Sequence, residues 1–320
     1  MLDKPPSFLR LLGWVVDRID AMRVFVAALD EGSLAAAGRK LGRSPTAVTR
    51  AISALEAHVG VPLLHRTTRS IRLSEAGERY AAACRRVLTD LEEADLMAAG
   101  ERAAPRGLLA ITAPLVSGSQ IMRPILDAFL DQQPAVKARL LLLDRSVNLI
   151  DEGIDVALRI GHLPDSSLIA VRIGEVRKLL VAAPAYLDAA APVETPSDLV
   201  HHRCIQMTSF GNEGWIFSAA GGTTRNVTIE PRLIVNTVEA ALGSALEGRG
   251  ITRAFSYQVA DAVHMRQLRI LLTKDEPLPL PVHLVMPEGR LSVPKVRAFV
   301  DHAVPLLRAE FARRLRLCLD

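Results

Sequence analysis

Thr46, Thr49 and Arg50 lie close together in the stretch SPTAVTRAISALE, residues 44–56. On a helix they share one side, opposite Val48, Ile52, Leu55 and Val59. Their chemistry is that of reading base edges. Arginine can hold guanine O6 and N7 with two parallel hydrogen bonds, and threonine offers a hydroxyl together with a methyl that suits thymine. Arg43, Ser44 and Pro45 precede them, at a helix start whose unpaired N–H groups and positive dipole end favour a phosphate. A second polar cluster, Arg66, Thr67, Thr68 and Arg69, follows a few turns later. It suits contact with a nucleic-acid backbone or minor groove.

Other chemistries find less support. His201, His202 and Cys204 in HHRC lack the spacing of a stable metal site and an evident fourth ligand, so no metal is expected. Neither SGS (117–119) nor GSALEG (243–248) forms a G-x-S-x-G elbow, and nothing marks a base beside either serine. No enzyme activity and no cofactor are expected. The three cysteines, Cys84, Cys204 and Cys318, are odd in number and far apart, which argues against a disulfide framework.

Charge separates the recognition segment from the rest. Between Ser33 and Leu73 stand Arg39, Lys40, Arg43, Arg50, Arg66, Arg69 and Arg72 against the single acid Glu56. That window carries +6 in a chain whose net charge is +4, which leaves −2 elsewhere. A local basic excess on a balanced protein is the footprint of a polyanion-binding module. No apolar run reaches the roughly 18 residues a membrane span needs. The short patch Leu11–Val16 is also smaller than a secretory core and has no cleavage site after it. A cytoplasmic location without membrane attachment is the expectation.

The elements that must position these residues follow from caps and periodicity. Asp20 is placed to cap a first helix reaching about Glu31, with Met22, Phe25, Val26 and Leu29 as its apolar stripe. Ser33 caps a second helix, Leu34 to Leu41, and Gly42 breaks the chain. Ser44 caps a third helix that opens on Pro45, where a missing N–H costs nothing, and runs to about Val59. Ala36, Ala37 and Gly38 keep the second helix thin, so that the third can cross close by. The result, over about Ser33 to Ile52, is a helix-turn-helix whose second helix would lie in a DNA major groove. Two short strands around the Thr67–Arg69 tip would form a wing. From Ser74 a long helix, roughly Glu75 to Arg102, carries Tyr80, Cys84, Val87, Leu91, Ala94 and Ala98 at steps of 4 and 3, a heptad seam that calls for a partner helix from a second copy.

After the punctuation AAPRG (103–107) the pattern becomes strands and helices in alternation. Strands are predicted at LLAIT (108–112), ARLLLL (138–143) and DVALRI (155–160). Helices are predicted at about Gln120–Asp131 and from Ser146 to Gly153. This run implies a parallel sheet with helices on its faces. A second alternating region begins at KLLVAAP (178–184), and the chain closes with a strand at PVHLVMP and a helix from Lys295 to about Leu307.

Residues 17–105 resemble the DNA-binding domain and linker helix of LysR-type transcriptional regulators. The carriers are MRVFVAALDEGSLAAAGRKLGRSPTAVTRAISALEAHVGVPLLHRTTRSIRLSEAGERY, with DRSVNLIDEGIDVALRIG, VAAPAYL and SVPKVRAFVD extending the similarity to about residue 307. Three positions depart from the family pattern: Pro45 stands where a base-reading Gln is common, Gly38 where Ala is usual, and Leu64 where Phe is common. Gly38 would cost about 1 kcal/mol of helix propensity. Residues before Val16 have no family counterpart and are expected to be a disordered leader or a mis-assigned start.

The resemblance implies a multidomain α plus α/β protein. Its parts would be a leader (1–16), a winged helix-turn-helix (17–73), a linker helix and hinge (74–106), an effector-binding domain like type 2 periplasmic binding proteins (107–307) and a tail (308–320). Lobe I would take 107–176 and 281–307, and lobe II 177–280. In such open sheets ligands bind beyond the carboxyl ends of strands. The expected pocket residues are therefore Pro114, Val116, Ser117, Arg159, Gly161, Thr208, Asn236 and Arg253, with Ser117 and the helix after it holding the carboxylate of a small organic anion. The implied partners are operator DNA, a second copy in a homodimer or dimer of dimers, and RNA polymerase. A solute-binding protein for transport shares the lobed fold but has no use for residues 17–73, and an enzyme would need a catalytic cluster. Arg50→Ala is expected to weaken specific operator binding by roughly 1–3 kcal/mol. Duplex titration monitored by fluorescence anisotropy measures this, and unchanged affinity would remove Arg50 from the reading face.

Overall fold

The computed structural model describes residues 17–66, 71–98, 104–164, 166–208, 214–218 and 223–319. The leader 1–16 and the wing-tip residues Thr67, Thr68 and Arg69 lie outside the described residues. The chain divides into two compact units, residues 1–100 and 101–320.

The first unit opens with α1 (Arg18–Asp30), α2 (Leu34–Leu41) and α3 (Pro45–Val59). Asp17, not Asp20, caps α1 by accepting from the Ile19 N–H; Asp20 is instead taken by Arg43. Ser33 and Ser44 cap α2 and α3 through the N–H groups of Ala36 and Ala47, and Gly42 and Gly60 end them in the left-handed region, as the spacing predicts. Gly38 has a reason beyond thinness. A Cβ there would stand 2.7 Å from the Arg43 carbonyl oxygen, because the turn folds back to bond Arg43 N–H to Gly38 O.

The wing strands β1 (Leu64–Arg66) and β2 (Ile71–Leu73) pair antiparallel. Glu56, the one acid of the basic window, accepts from both Leu63 N–H (2.9 Å) and Leu64 N–H (3.2 Å) and so ties the end of α3 to the wing. Ser74 caps the linker helix α4 (Glu75–Ala98) and donates to Pro62 O. Gly77 sits so close to the Leu63 carbonyl that a Cβ would fall 2.0 Å from its oxygen.

The first half of the proposed seam is corrected here. Cys84 is fully buried, and Tyr80 packs on the same core with its ring 6.3 Å from Phe25, so both serve the domain's own interior. The heptad steps were real, but α1 already supplies the surface these residues need. Further along, Val87 and Ala94 are exposed and Leu91 is half-buried; the side chain of Ala98 lies outside the described residues.

The second unit begins with β3 (Gly107–Ala113). A helical run follows: α5 (Leu115–Ser117), a π-turn (Gly118–Met122) and α6 (Arg123–Gln132). It starts five residues before the expected helix. Next come β4 (Val136–Leu142), β5 (Val156–Ile160), β6 (Leu168–Val176) and β7 (Lys178–Ala182). The helix expected between Ser146 and Gly153 does not form. Asn148 instead accepts from the Ile150 and Asp151 N–H groups, and this local turn replaces helical pairing.

Lobe II continues with α7 (Pro184–Leu187), β8 (Cys204–Met207), β9 (Trp215–Ser218), β10 (Thr224–Val227), β11 (Pro231–Val235), α8 (Val238–Leu246), β12 (Ile251–Phe255), α9 (Ser256–His264) and β13 (Arg269–Leu271). Then β14 (Leu280–Pro287) and α10 (Pro294–Arg316) return to lobe I. The two central sheets have orders β4-β3-β5-β14-β6 and β11-β8-β12-β7-β13. Pairs β3–β4 and β3–β5 are parallel as expected, while β14 and β7 add antiparallel strands and make both sheets mixed. The chain crosses between the two sheets at Arg177 and again in the segment before Leu280. The final helix does not stop near Leu307: it runs on through Pro305 to Arg316, burying Phe311 and Arg314, and residues 308–316 are helix rather than tail.

Two predictions follow from this packing. Gly77→Ala forces the Leu63 backbone away and is expected to destabilise the first unit by about 1–3 kcal/mol in urea unfolding. Glu310 accepts from Arg313 and Arg314, and these bonds pull its carboxyl down to about 2. A depressed carboxyl contributes stability above its unfolded pKa and loses it as pH falls toward the folded value. Glu310→Gln should therefore destabilise the chain at pH 6, and the difference should shrink as the pH is lowered toward 2.

Candidate DNA-reading face and interlobe cleft

The helix-turn-helix positions its recognition residues by burying the opposite side of α3. Val48, Ala51, Ile52 and Leu55 are buried against α1 and α2, and this holds the axis of α3. Pro45, Thr46, Ala47 and Arg50 are exposed along the start of the helix, followed one turn on by Ser53. Ser53 escaped the sequence reading, although it lies three residues after Arg50 and so on the same face.

Two of the expected contacts have a prior commitment. Arg43 makes a two-pronged ion pair with Asp20, 2.6 Å at each prong, which pins the turn to α1. The Thr49 hydroxyl donates to Pro45 O at 3.0 Å, the carbonyl one helical turn back. Thr49 thus offers a methyl and an acceptor. Arg66 ends β1, beside the tip.

In the second unit a cavity of about 570 Å³ opens between the lobes. Lobe I contributes the ends of β3 and β5, with Pro114, Arg159 and Gly161, and the turn from Asp144 to Val147. Lobe II contributes Lys178, Met207, Val238, Phe255 and Tyr257. The volume falls in the range of small-molecule sites, and the strand-end position is where open α/β sheets bind ligands.

The cavity is rich in cationic groups. Arg159 is half-buried and donates to Val147 O at 2.7 Å; among the described residues no carboxylate lies within ion-pair distance of it. Lys178 stands 6.0 Å from the centre of the Phe255 ring, and burial, helped by the charge of Arg253, lowers its pKa from the ordinary lysine value. Arg145 is paired with Glu152, at 3.0 and 3.1 Å. His162 also lines the cavity. Among the described residues the one lining carboxylate, Asp144, accepts from the Leu115 N–H at 2.9 Å.

Of the expected pocket residues, Pro114, Arg159 and Gly161 line the cavity and five do not. Asp144 already occupies the helix start assigned to a carboxylate, and Ser117 is fully buried with its hydroxyl on Pro114 O, behind Tyr257. Val116 is core. Thr208 and Asn236 are exposed outside the cavity. Arg253 donates to Ile216 O and lies over Trp215 and Phe217, at 5.9 and 5.3 Å, where burial brings its pKa down to about 10. Position along the strand decides this: Arg253 stands at the level of Leu180, two residues back from the Phe255–Lys178 pair that reaches the cavity. Lys178 and Tyr257 were missed. Lys178 opens a strand recognised only as apolar, and no local pattern marks a residue just past a lobe crossing.

The comparisons with known proteins agree with this geometry. The LysR substrate binding domain matches residues 102–308, and the bacterial regulatory helix-turn-helix of the lysR family matches residues 19–78. An HTH-type transcriptional regulator of Xanthomonas campestris is 32% identical over 92% of this chain and 87% of its own length. Among solved structures, the full-length Vibrio cholerae virulence activator AphB matches with a TM-score of 0.60 and 26% identity over 90% of this chain and 98% of that one. CrgA of Neisseria meningitidis matches with a TM-score of 0.58 and 27% identity over 90% and 98%. An N-terminal helix-turn-helix followed by a C-terminal two-lobed α/β regulatory domain is the architecture this chain shares with them. The chain belongs to the LysR family of transcriptional regulators: it is a DNA-binding regulator with an effector-binding domain, and not an enzyme.

Proposed function

We propose that the regulator responds to a small organic anion, with at least one carboxylate, seated between Arg159 of lobe I and Lys178 of lobe II. The observation that carries this reading is the imbalance of charge in the cleft. Arg159 has a guanidinium with no carboxylate beside it, and the one lining carboxylate is committed to a backbone N–H, both among the described residues. Lys178, whose ammonium is held in an unfavourable buried setting, would recover its ordinary pKa when an anion arrives. Phe255, Met207, Val238 and Leu163 supply apolar wall for the carbon skeleton.

On the DNA side, the exposed start of α3 enters the major groove, and the wing follows the backbone. Two copies pair along the exposed part of α4, where Val87 and Leu91 have no room in the domain's own core. The pair presents two recognition helices to a partly palindromic operator. Assembly as a dimer of dimers and contact with RNA polymerase, in the cytoplasm, complete the reading. The effector acts by binding one interlobe arrangement more tightly than another, since only differential affinity shifts such an equilibrium.

A thermal-shift screen of small carboxylic acids against the full-length chain tests the effector class. A true effector at 100 times its Kd stabilises the native state by about 2.7 kcal/mol. Lys178→Gln and Arg159→Gln should each remove most of that shift while leaving the unliganded melting point nearly unchanged. Hits confined to cations or uncharged molecules, or carboxylate hits that survive both substitutions, would overturn the proposal.

A further inference from the structure

The family's effector-domain pattern ends at residue 308, but α10 continues to Arg316 and the chain stays ordered through Leu319. That extension does not hang free. Phe311 is buried, meets Tyr257 edge-on at 5.6 Å between ring centres and packs over Gly174 of β6. Arg314, also buried, donates through one nitrogen to the Gln120 side chain at 2.8 Å and to Tyr257 O at 2.9 Å, while its Nε bonds Glu310. Gln120 belongs to lobe I and Tyr257 to lobe II. A single guanidinium therefore spans the two lobes.

Beyond Arg314 the chain reaches the crossing itself. Cys318 O accepts from Arg177 at 3.1 Å, and its thiol donates to Ser256 O at 3.4 Å. Arg177 is the residue between β6 and β7, and it also forks onto Glu276 of the other crossing, 2.8 Å at each prong. Ser256 and Arg177 exchange two further bonds through the Ser256 hydroxyl and N–H. The C-terminal segment thus touches lobe I, both crossing chains and the start of α9.

Tyr257 is the link to function, because it forms part of the cleft wall and stacks with Phe255 beside Lys178. Any rotation of lobe II against lobe I must move Tyr257 O relative to Gln120, and Arg314 holds both. We infer that the chain end after residue 308 is a strap across the interlobe crossing, and that Arg314 is a positioning residue which sets the resting interlobe geometry and the place of Tyr257 in the cleft wall. The use of this device in signalling rests on the reading of the cleft as the effector seat. The strap itself is tested without effector, so failure of one leaves the other standing.

The test uses the full-length chain carrying one spin label on each lobe, at Lys137→Cys and Glu239→Cys, both exposed positions, while the three native cysteines are buried. The unsubstituted background should give one narrow interlobe distance. Arg314→Gln should broaden or shift it, and should speed amide exchange roughly tenfold in the peptides spanning 174–179 and 254–259 without matching increases in β3 or β5. Phe129→Leu, a core change away from the crossing, controls for general loss of stability, and should raise exchange in lobe I without broadening the distance. If Arg314→Gln does not fold, Gln120→Ala, at an exposed position, carries the same readouts with a smaller expected effect. An unchanged distance distribution, or exchange raised uniformly as in the Phe129→Leu chain, would overturn the inference.

Discussion

The effector domain hangs together on the ion pair between Arg177 and Glu276. Each partner sits on one of the two chains that pass between the lobes, and both are largely buried, at 16% and 12% side-chain exposure. Without that pair the two crossing chains would lose the side-chain bond that joins them. With it the crossings form one braced joint, to which Ser256 and the Cys318 carbonyl are also bonded. A buried pair of this kind is not itself a large source of stability, but removing one partner strands a charge at a cost of about 3–5 kcal/mol. Its service is to fix where the lobes meet, and hence which strand ends face each other across the cleft.

The DNA-binding domain meets a similar demand by different means. Its reading helix must be held firmly while offering polar groups outward. Apolar residues of α3 do the holding, but the fine placement comes from polar groups drawn inward: Asp20 fixes Arg43, and Glu56 fixes the start of the wing. The only acid in the basic window is therefore a backbone acceptor.

Much of this was legible in the sequence because caps and periodicities are local. Ser33, Ser44, Pro45, Gly42 and Gly60 delimit helices by their own chemistry, and the bounds of α2 and α3 agree with the reading. The alternation of strands and helices after residue 107 was legible too, since each element announces itself by its own short apolar run. What escaped depends on contacts between distant residues. The partner of Arg43 lies 23 residues away, the use of Tyr80 and Cys84 depends on α1 being near, and the surroundings of Arg253 depend on Trp215 and Phe217 folding over it. The cleft was found in outline through strand ends, but Lys178 and Tyr257 enter it only because the crossing at Arg177 turns the chain there. The continuation of α10 past Leu307 carried no local mark, because what holds it is the burial of Phe311 and Arg314 against Gly174, Gln120 and Tyr257, far off in the sequence.

Asp144 has a consequence for energetics of recognition. Its carboxylate sits on the Leu115 N–H, as a bound anion might, so this rim of lobe I is organised before any ligand arrives. Binding then need not spend free energy on ordering that turn, and more of the interaction is available for choosing among molecules. A protein that carries its own stand-in anion at the rim is preorganised there. It also repels anions at that spot, and on the proposed reading an effector's carboxylate would be turned toward Arg159 and Lys178 by a residue that makes no attractive contact with it.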